Sequence, residues 1–336
     1  MFDADLVLAV LDAVPDAVVD GGWGVDALAG RQTRPHEDLD LVVDADALAS
    51  VVAALEPLGF VQSTDERPAR VVLSQAAGCP VDLHLVEHTT AGTTQRLPGG
   101  RQFTYFLDGH TGLIGGRSVR CLSPEMQLLT HAGYEPDDDD RADMAVVAEV
   151  SGLTLPPPYA PPLSVDDDVV VRLGAVEDVP AVCAIRIRSW RAAYAGLMPQ
   201  PVIDAIDIGT MWSTWCASVR HPPSPSTQLF VGGPPGEVHA YAWVRPDDES
   251  RTAAYVGAIY SDPSAWGTKA GWTVFSAAVA FLRGQGFDDL NLWMLKGNER
   301  AGRFYERAGW VPAGEEQTTQ TSAGSYVEVR YRLVKS

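Results

Sequence analysis

The run Leu153-Thr-Leu-Pro-Pro-Pro-Tyr-Ala-Pro-Pro-Leu163, followed by Ser164-Val-Asp-Asp-Asp168, divides the chain. Proline fixes φ and offers no N–H, so a stretch this rich in it suits neither a helix interior nor a central strand. The run has neither the helical nor the strand period and reads as a stiff extended linker. At 336 residues the chain is also too long for one ordinary core. The expectation is a domain at 1–152, a proline-rich linker at 153–168 and a second domain at 169–336. No internal repeat appears on either side, so the two domains are expected to differ.

Periodicity supports this division. In the first half, helical spacing covers 4–14 and 23–29, the latter ended by Gly30. Short apolar runs at 17–19, 39–43, 70–73 and 81–86 read as strands, with a helix at 46–55 between them. Closing helices are expected at 124–131, with Ser123 as N-cap, and at 141–150. The second half begins with a strand near 169–171 and a helix at 179–194. Strands follow at 229–231, 238–244 and 253–260, then a long helix, a strand at 290–293, a helix at 299–308 and a strand at 326–333. Such mixtures give mixed sheets with helices on their faces, an α+β class.

Charge narrows the partners. Residues 1–150 hold 25 acids against 9 arginines and no lysine, a net of −16, while the remainder carries −3. An acidic field repels nucleic-acid backbones and attracts cations, so a small cationic substrate is favoured over DNA or RNA. Cys79, Cys121, Cys183 and Cys216 are too scattered for a zinc site and read as reduced core thiols. No apolar run approaches the roughly 18 residues of a membrane span, and the acidic start, Met1-Phe-Asp-Ala-Asp5, is unlike a secretory signal. A cytoplasmic protein with no membrane partner is expected; homo-oligomerisation is left open.

Asp38 and Asp40 flank Leu39 at the start of the apolar run Leu41-Val-Val43, a helix and a loop after Gly21-Gly22. On a strand the period of two puts both carboxylates on one face, where they could share a divalent cation near a glycine turn that admits phosphate. The stretch Gly21-Gly-Trp-Gly-Val-Asp-Ala-Leu-Ala-Gly-Arg-Gln-Thr-Arg-Pro-His-Glu-Asp-Leu-Asp40 resembles the aminoglycoside and lincosamide nucleotidyltransferases of the polymerase-β-like superfamily. So do Val81-Asp-Leu-His84 and Cys121-Leu-Ser-Pro-Glu-Met-Gln-Leu-Leu-Thr-His-Ala-Gly-Tyr134.

The resemblance implies Mg²⁺-dependent use of ATP or another nucleoside triphosphate. Asp38 and Asp40 would be metal ligands, and Asp82 a third carboxylate serving as general base or further ligand. Backbone N–H groups around Gly21 and Gly22 would cradle the phosphates. With no lysine in this half, Arg31, Arg34 and Arg101 are left to meet them. Asp26 reads as a solvent-facing or capping acid, and His36 and His84 as packing or hydrogen-bonding residues rather than bases. Strand parity turns Glu87 away from Asp82. The run Asp137-Asp-Asp-Asp140 with Asp143 reads as a solvated helix start, with an anionic wall for ammonium groups as the alternative.

From Val169 onward the chain resembles the GNAT N-acetyltransferases. The likeness rests on Tyr260-Ser-Asp-Pro-Ser-Ala-Trp-Gly-Thr-Lys-Ala-Gly271 and Leu292-Trp-Met-Leu-Lys-Gly-Asn-Glu-Arg-Ala-Gly-Arg-Phe-Tyr-Glu-Arg-Ala-Gly-Trp310. It implies acetyl-CoA bound at a helix-starting loop that includes Gly267, Lys269 and Gly271, contacted by Asn298, with Tyr305 protonating the departing thiolate. Lys269 stands where the family's loop has its first glycine, so its side chain either pairs with phosphate or crowds it. No acid lies within 253–260, and the general base is unassigned. Trp190, Tyr194, Trp212 and Trp215 are either core or an acceptor pocket.

Together the resemblances imply two α+β domains: a nucleotidyltransferase mixed sheet with flanking helices, then a GNAT mixed sheet with helices on both faces. The function they imply is a bifunctional antibiotic-modifying transferase. Its first domain would move AMP to a hydroxyl of an aminoglycoside-like or lincosamide-like drug, and its second would acetylate an amine. Two alternatives stay open: a toxin-like nucleotidyltransferase acting on tRNA or protein, and a second domain reduced to a binding or dimerising module.

Overall fold

The computed structural model describes every residue except 1, 77, 90, 91, 133, 158, 161–163, 165, 166, 335 and 336. The chain forms two units: Met1–Leu153 with Asp207–Thr210, and Thr154–Ile206 with Met211–Ser336. The proline-rich segment packs on the second unit rather than spanning freely. Thr154 Oγ1 donates to the buried Asp178 carboxylate at 2.9 Å, Leu155 bridges to Glu237, and Tyr159 and Ala160 are buried. Residues 158, 161–163, 165 and 166 of that expected linker lie outside the described residues.

The first unit begins with α1 (Ala4–Ala13), β1 (Val18–Asp20), α2 (Gly21–Ala29), β2 (Leu39–Asp44) and α3 (Leu48–Leu55). Then come β3 (Val61–Glu66), β4 (Arg70–Ser74), β5 (Pro80–Thr89), β6 (Gly92–Arg96), β7 (Gln102–Tyr105), and the hairpin β8 (Thr111–Ile114) and β9 (Arg117–Arg120). Helices α4 (Pro124–His131) and α5 (Asp138–Ser151) close it. The sheet runs β1-β2-β5-β4-β3, with β6 and β7 continuing from β5. Strands β2 and β5 are parallel and the other pairs antiparallel.

Alternation assigns the two faces. Leu39, Leu41 and Val43 of β2, Val81, Leu83 and Leu85 of β5, and Val71 and Leu73 of β4 are buried in one core. Asp40, Asp82 and His84 occupy the intervening positions and therefore the opposite face.

The second unit contains β10 (Val170–Leu173), α6 (Val179–Ala193), α7 (Gln200–Asp204), α8 (Ile208–Arg220) from Met211 onward, β11 (Gln228–Gly233), β12 (Ala240–Pro246) and β13 (Ala253–Ser261). It continues with α9 (Ala270–Gly284), β14 (Asp289–Leu295), α10 (Glu299–Arg307), β15 (Trp310–Thr321) and β16 (Gly324–Leu333). The sheet order is β10-β11-β12-β13-β14-β16-β15, with β13 and β14 parallel. Those two pair only over Ala253–Tyr255 and Asp289–Asn291, so they part from Val256 onward.

Both units are mixed α+β structures, as the periodicity indicates. Two of the unforeseen elements are polar or exposed. β3 is almost wholly exposed, with Val61 at 62%, and β15 is mostly solvent-facing Glu, Gln and Thr held by pairing to β16. Neither displays an apolar alternation to read. Among the described residues, no helix is long and apolar enough to cross a membrane.

The core assignment is open to test. Leu83→Ala, at a fully buried β5 position, is expected to lower unfolding free energy by about 2–5 kcal/mol. Val61→Ala should change it by less than about 0.5 kcal/mol. Urea denaturation measures both.

Candidate active site

The first unit's site is built by strand register. Asp20 ends β1 opposite Asp40 of β2, and Asp40 lies opposite Asp82 of β5, so three aspartates form a row across adjacent strands. Asp40, Asp82 and His84 bring one ligand atom each to within 4.8 Å of one another. Asp82 Oδ2 accepts from Arg70 Nη1 at 2.6 Å, whereas its Oδ1 is buried with no hydrogen-bond partner. Asp40 Oδ1 lies 3.1 Å from His84 Nε2. Asp38 sits just before β2, off the register row and outside the group of clustered ligand atoms.

Crowded like charges alter protonation. Burial raises the pKa of Asp38, and the charges of Asp40 and Asp82 add to it. Burial likewise raises Asp82, with His84 and Arg70 opposing. Burial disfavours a charged His84, yet its hydrogen bond to Asp40 and the charges of Asp40, Asp20 and Asp82 carry its pKa up to about 9. His84 is thus a protonated counter-charge inside the cluster at neutral pH. Asp20 is the carboxylate that sequence reasoning missed. Burial raises its pKa, and its signal was an acid one residue before the Gly-Gly pair.

The glycine turn works differently from the expectation. Asp20 caps α2 and accepts the Gly21 N–H at 2.7 Å, so that N–H is not free for phosphate. Gly21 is required for space and conformation instead. Its φ is +59°, and a Cβ there would lie 2.3 Å from Asp40 Oδ2. Gly22 is equally confined, with His36 Nδ1 2.3 Å from where its Cβ would stand. Beyond Gly21, the next N–H groups of α2 are those a first helical turn leaves without an intrahelical partner.

Around this turn lies a buried scaffold. Asp26 is 2% exposed, not solvent-facing as expected; its Oδ2 meets His36 Nε2 at 2.6 Å and its Oδ1 accepts from Thr33 N at 2.8 Å. Arg34 lies beside Gly22, but Asp143 engages its Nε and Nη2 at 2.9 and 2.7 Å, and Asp139 lies 3.1 Å from its Nη1. Arg31 is exposed, 3.8 Å from Glu149, and Arg101 bonds the Pro98 carbonyl at 3.2 Å. Asp137 and Asp140 form a reciprocal capping box at the start of α5, and Glu87 pairs with Arg96 at 2.7 Å. The acidic run therefore builds a helix terminus and an arginine anchor.

In the second unit, the parting of β13 from β14 opens a cavity of about 970 Å³. Gly267, Lys269 and Gly271 line it at the start of α9, as do Asn298 and Tyr305. Lys269 has φ −74° and ψ −18°, an ordinary helical conformation that makes no demand for glycine. The strict glycine position is Gly267, at φ +86°, while a Cβ on Gly271 would meet Ser261 Oγ at 2.6 Å. Asn298 Oδ1 caps α10 by accepting from Ala301 N at 3.2 Å. Burial pushes the Tyr305 phenol well above its usual range, keeping it protonated. Trp190 and Tyr194 line the cavity, whereas Trp215 packs edge-on against Tyr241 and Trp243 in the interior.

Comparisons with known proteins agree with both halves. Residues 5–147 match the model of the aminoglycoside-2''-adenylyltransferase family, and residues 188–310 that of the GNAT acetyltransferase family. A lincosamide resistance protein of Staphylococcus haemolyticus is 34% identical over 128 residues, covering 38% of this chain and 80% of the relative. A lincosamide antibiotic adenylyltransferase solved with lincomycin bound is 29% identical, covering 44% of this chain and 94% of that one, with a TM-score of 0.39. An N-acetyltransferase from Staphylococcus aureus is 17% identical, covering 50% and 98%, with a TM-score of 0.40. The protein is a transferase of two parts, a nucleotidyltransferase followed by a GNAT-type domain. Through its first unit the chain belongs to the aminoglycoside and lincosamide nucleotidyltransferase family.

Two glycine substitutions isolate the contact at the turn. Gly59→Ala, at φ +84° with no neighbour within 4 Å, is expected to cost about 1–2 kcal/mol for the left-handed backbone alone. Gly21→Ala must also displace the Asp40 carboxylate, so it should cost more in urea denaturation and abolish nucleotide transfer. Equal costs would mean that Gly21 is not needed to make room for Asp40.

Proposed function

We propose that the first unit transfers AMP from ATP, or the monophosphate of another nucleoside triphosphate, to a hydroxyl of a lincosamide-like or aminoglycoside-like drug. The second unit, in this reading, moves acetyl from acetyl-CoA to an amine. The observation that carries the first activity is the Asp40–Asp82 pair, set side by side by parallel strands, with Asp82 Oδ1 buried and unpartnered. A buried carboxylate oxygen without a donor is costly unless a cation or a proton donor arrives. The donor set, hard carboxylate oxygens clustered beside an α-helix N-terminus, fits Mg²⁺ and a triphosphate.

Asp38 and Asp40 are the proposed metal ligands, with Asp82 as third ligand or as the base that takes the acceptor hydroxyl's proton at Oδ1. Bound Mg²⁺ supplies neutralisation of the triphosphate charge. Arg70 holds Asp82 from the far side and fixes its rotamer. His84 offsets the charge of Asp40. Gly22 and the following N–H groups of α2 are the phosphate donors in this scheme, and the Asp26–His36 pair keeps that turn in place. The relatives act on small molecules by their names, and a small-molecule acceptor suits the acidic first half better than a polyanionic RNA.

In the second unit, α9 presents its N-terminus to the cavity, with Lys269 and with Arg300 stacked on Trp266 as flanking cations for the cofactor's phosphates. Tyr305 retains its proton in burial and can supply it to a departing thiolate.

Incubation with ATP, Mg²⁺ and a drug panel, followed by mass spectrometry, should reveal a nucleotide adduct that chelation with EDTA prevents. Asp40→Asn and Asp82→Asn are each expected to reduce transfer by about 10²–10⁴-fold, the equivalent of several kcal/mol of lost charge stabilisation. No adduct with any acceptor would refute the reading.

A further inference from the structure

The cavity of the second unit has a strongly one-sided charge. Arg186, Arg245, Lys269, Arg300 and Arg307 line it against a single carboxylate, Glu328. Lys269 and Arg300 lie at the α9 and α10 termini proposed for cofactor phosphates, but Arg186 does not. It projects from α6, half-buried, among aromatic rings. Its guanidinium carbon is 5.0 Å from the Trp190 ring centre and 5.9 Å from that of Tyr260. Trp190 Nε1 donates to Tyr260 Oη at 2.9 Å, Tyr194 Oη lies 3.4 Å from the same oxygen, and Tyr326 meets Trp190 edge-on at 6.4 Å. Among the described residues no carboxylate lies within ion-pair distance of Arg186.

Aromatic faces offset part of the cost of desolvating a guanidinium, but they supply no counter-charge to its in-plane N–H fork. That fork matches a planar oxyanion bidentately. We propose that Arg186 is the specificity-determining residue of the second unit, and that its acceptor is an amine bearing a carboxylate with an apolar or aromatic body, not a polycationic drug. The rings of Trp190, Tyr260 and Tyr326 hold the body while Arg186 holds the carboxylate. The inference rests on the acetyl-transfer reading of this unit. In the reaction the amine nitrogen bonds the acetyl carbon as the C–S bond breaks. One amine proton is lost to solvent, and the thiolate takes one from Tyr305.

Calorimetry of the full chain with a panel of free amino acids and their matched amides, with and without CoA, reads the carboxylate directly. The free acids are expected to bind at least about tenfold tighter than the amides and to be acetylated in preference to aminoglycosides. Arg186→Met should raise the KM for the acids by about 10- to 100-fold and erase the acid–amide difference, with acetyl-CoA affinity unchanged. Arg186→Lys, which keeps the charge but loses the fork, should recover part of it. Acids and amides that bind alike, no acid that binds, aminoglycosides that bind tighter, or Arg186→Met retaining the preference would each overturn the assignment. Failure to bind acetyl-CoA would instead remove the acetyl-transfer reading, while the acid–amide comparison would still decide the role of Arg186.

Discussion

Mutual repulsion among carboxylates is the constraint around which the first unit is organised. At the separation found here, two unit charges at an effective dielectric near 20 repel by about 3 kcal/mol. Strand register holds them together regardless. Asp20, Asp40 and Asp82 share one register row, and the leucines and valines at the alternate positions of β2, β4 and β5 fill a core on the other face. A slip of one residue would turn carboxylates into that core and apolar side chains out of it. The hydrophobic face therefore secures a polar face that would not assemble unaided. Arg70 and the protonated His84 supply counter-charge, and one oxygen, Asp82 Oδ1, remains unanswered.

Much of this arrangement was legible in the chain, and what escaped did so for physical reasons. The alternation across Leu39-Asp-Leu-Val-Val43 and Val81-Asp-Leu-His84 reveals two half-buried strands with acids on one face. It does not reveal that the strands are adjacent, parallel and in register, because pairing depends on contacts 42 residues apart. Asp20 was overlooked as a site residue because its strand, β1, brings only three residues to the sheet and meets Asp40 through pairing alone. Arg34 looked available for phosphate because this half has no lysine to meet it. Its partner, Asp143, comes from a helix 109 residues away.

Lys269 gives the converse lesson. Aligned by motif, it replaces a glycine, which raises the question of a blocked loop. The backbone angles answer it: the position is helical, and the turn's left-handed residue is Gly267 two places earlier. A motif records which residue types recur, but whether glycine is required depends on φ and on what a Cβ would meet. By those measures Gly21 and Gly267 are obligatory for different reasons, the first for crowding and conformation together, the second for conformation alone.

The two sites have opposite polarity, and this bears on how the chain's activities relate. The first is a carboxylate cluster in a half carrying −16, a setting that draws cations and rejects free anions. The second is a cavity whose wall is cationic and aromatic, with Arg186 free of any carboxylate among the described residues. An acceptor favoured by one potential is disfavoured by the other, because a charged ligand must give up water before it makes contact. A single polycationic drug would meet a complementary wall at the first site and a repulsive one at the second. Fusion of two transferase units on one chain is thus compatible with two distinct acceptors. The charge of each wall, and not the pairing of the domains, is the physical guide to what each unit modifies.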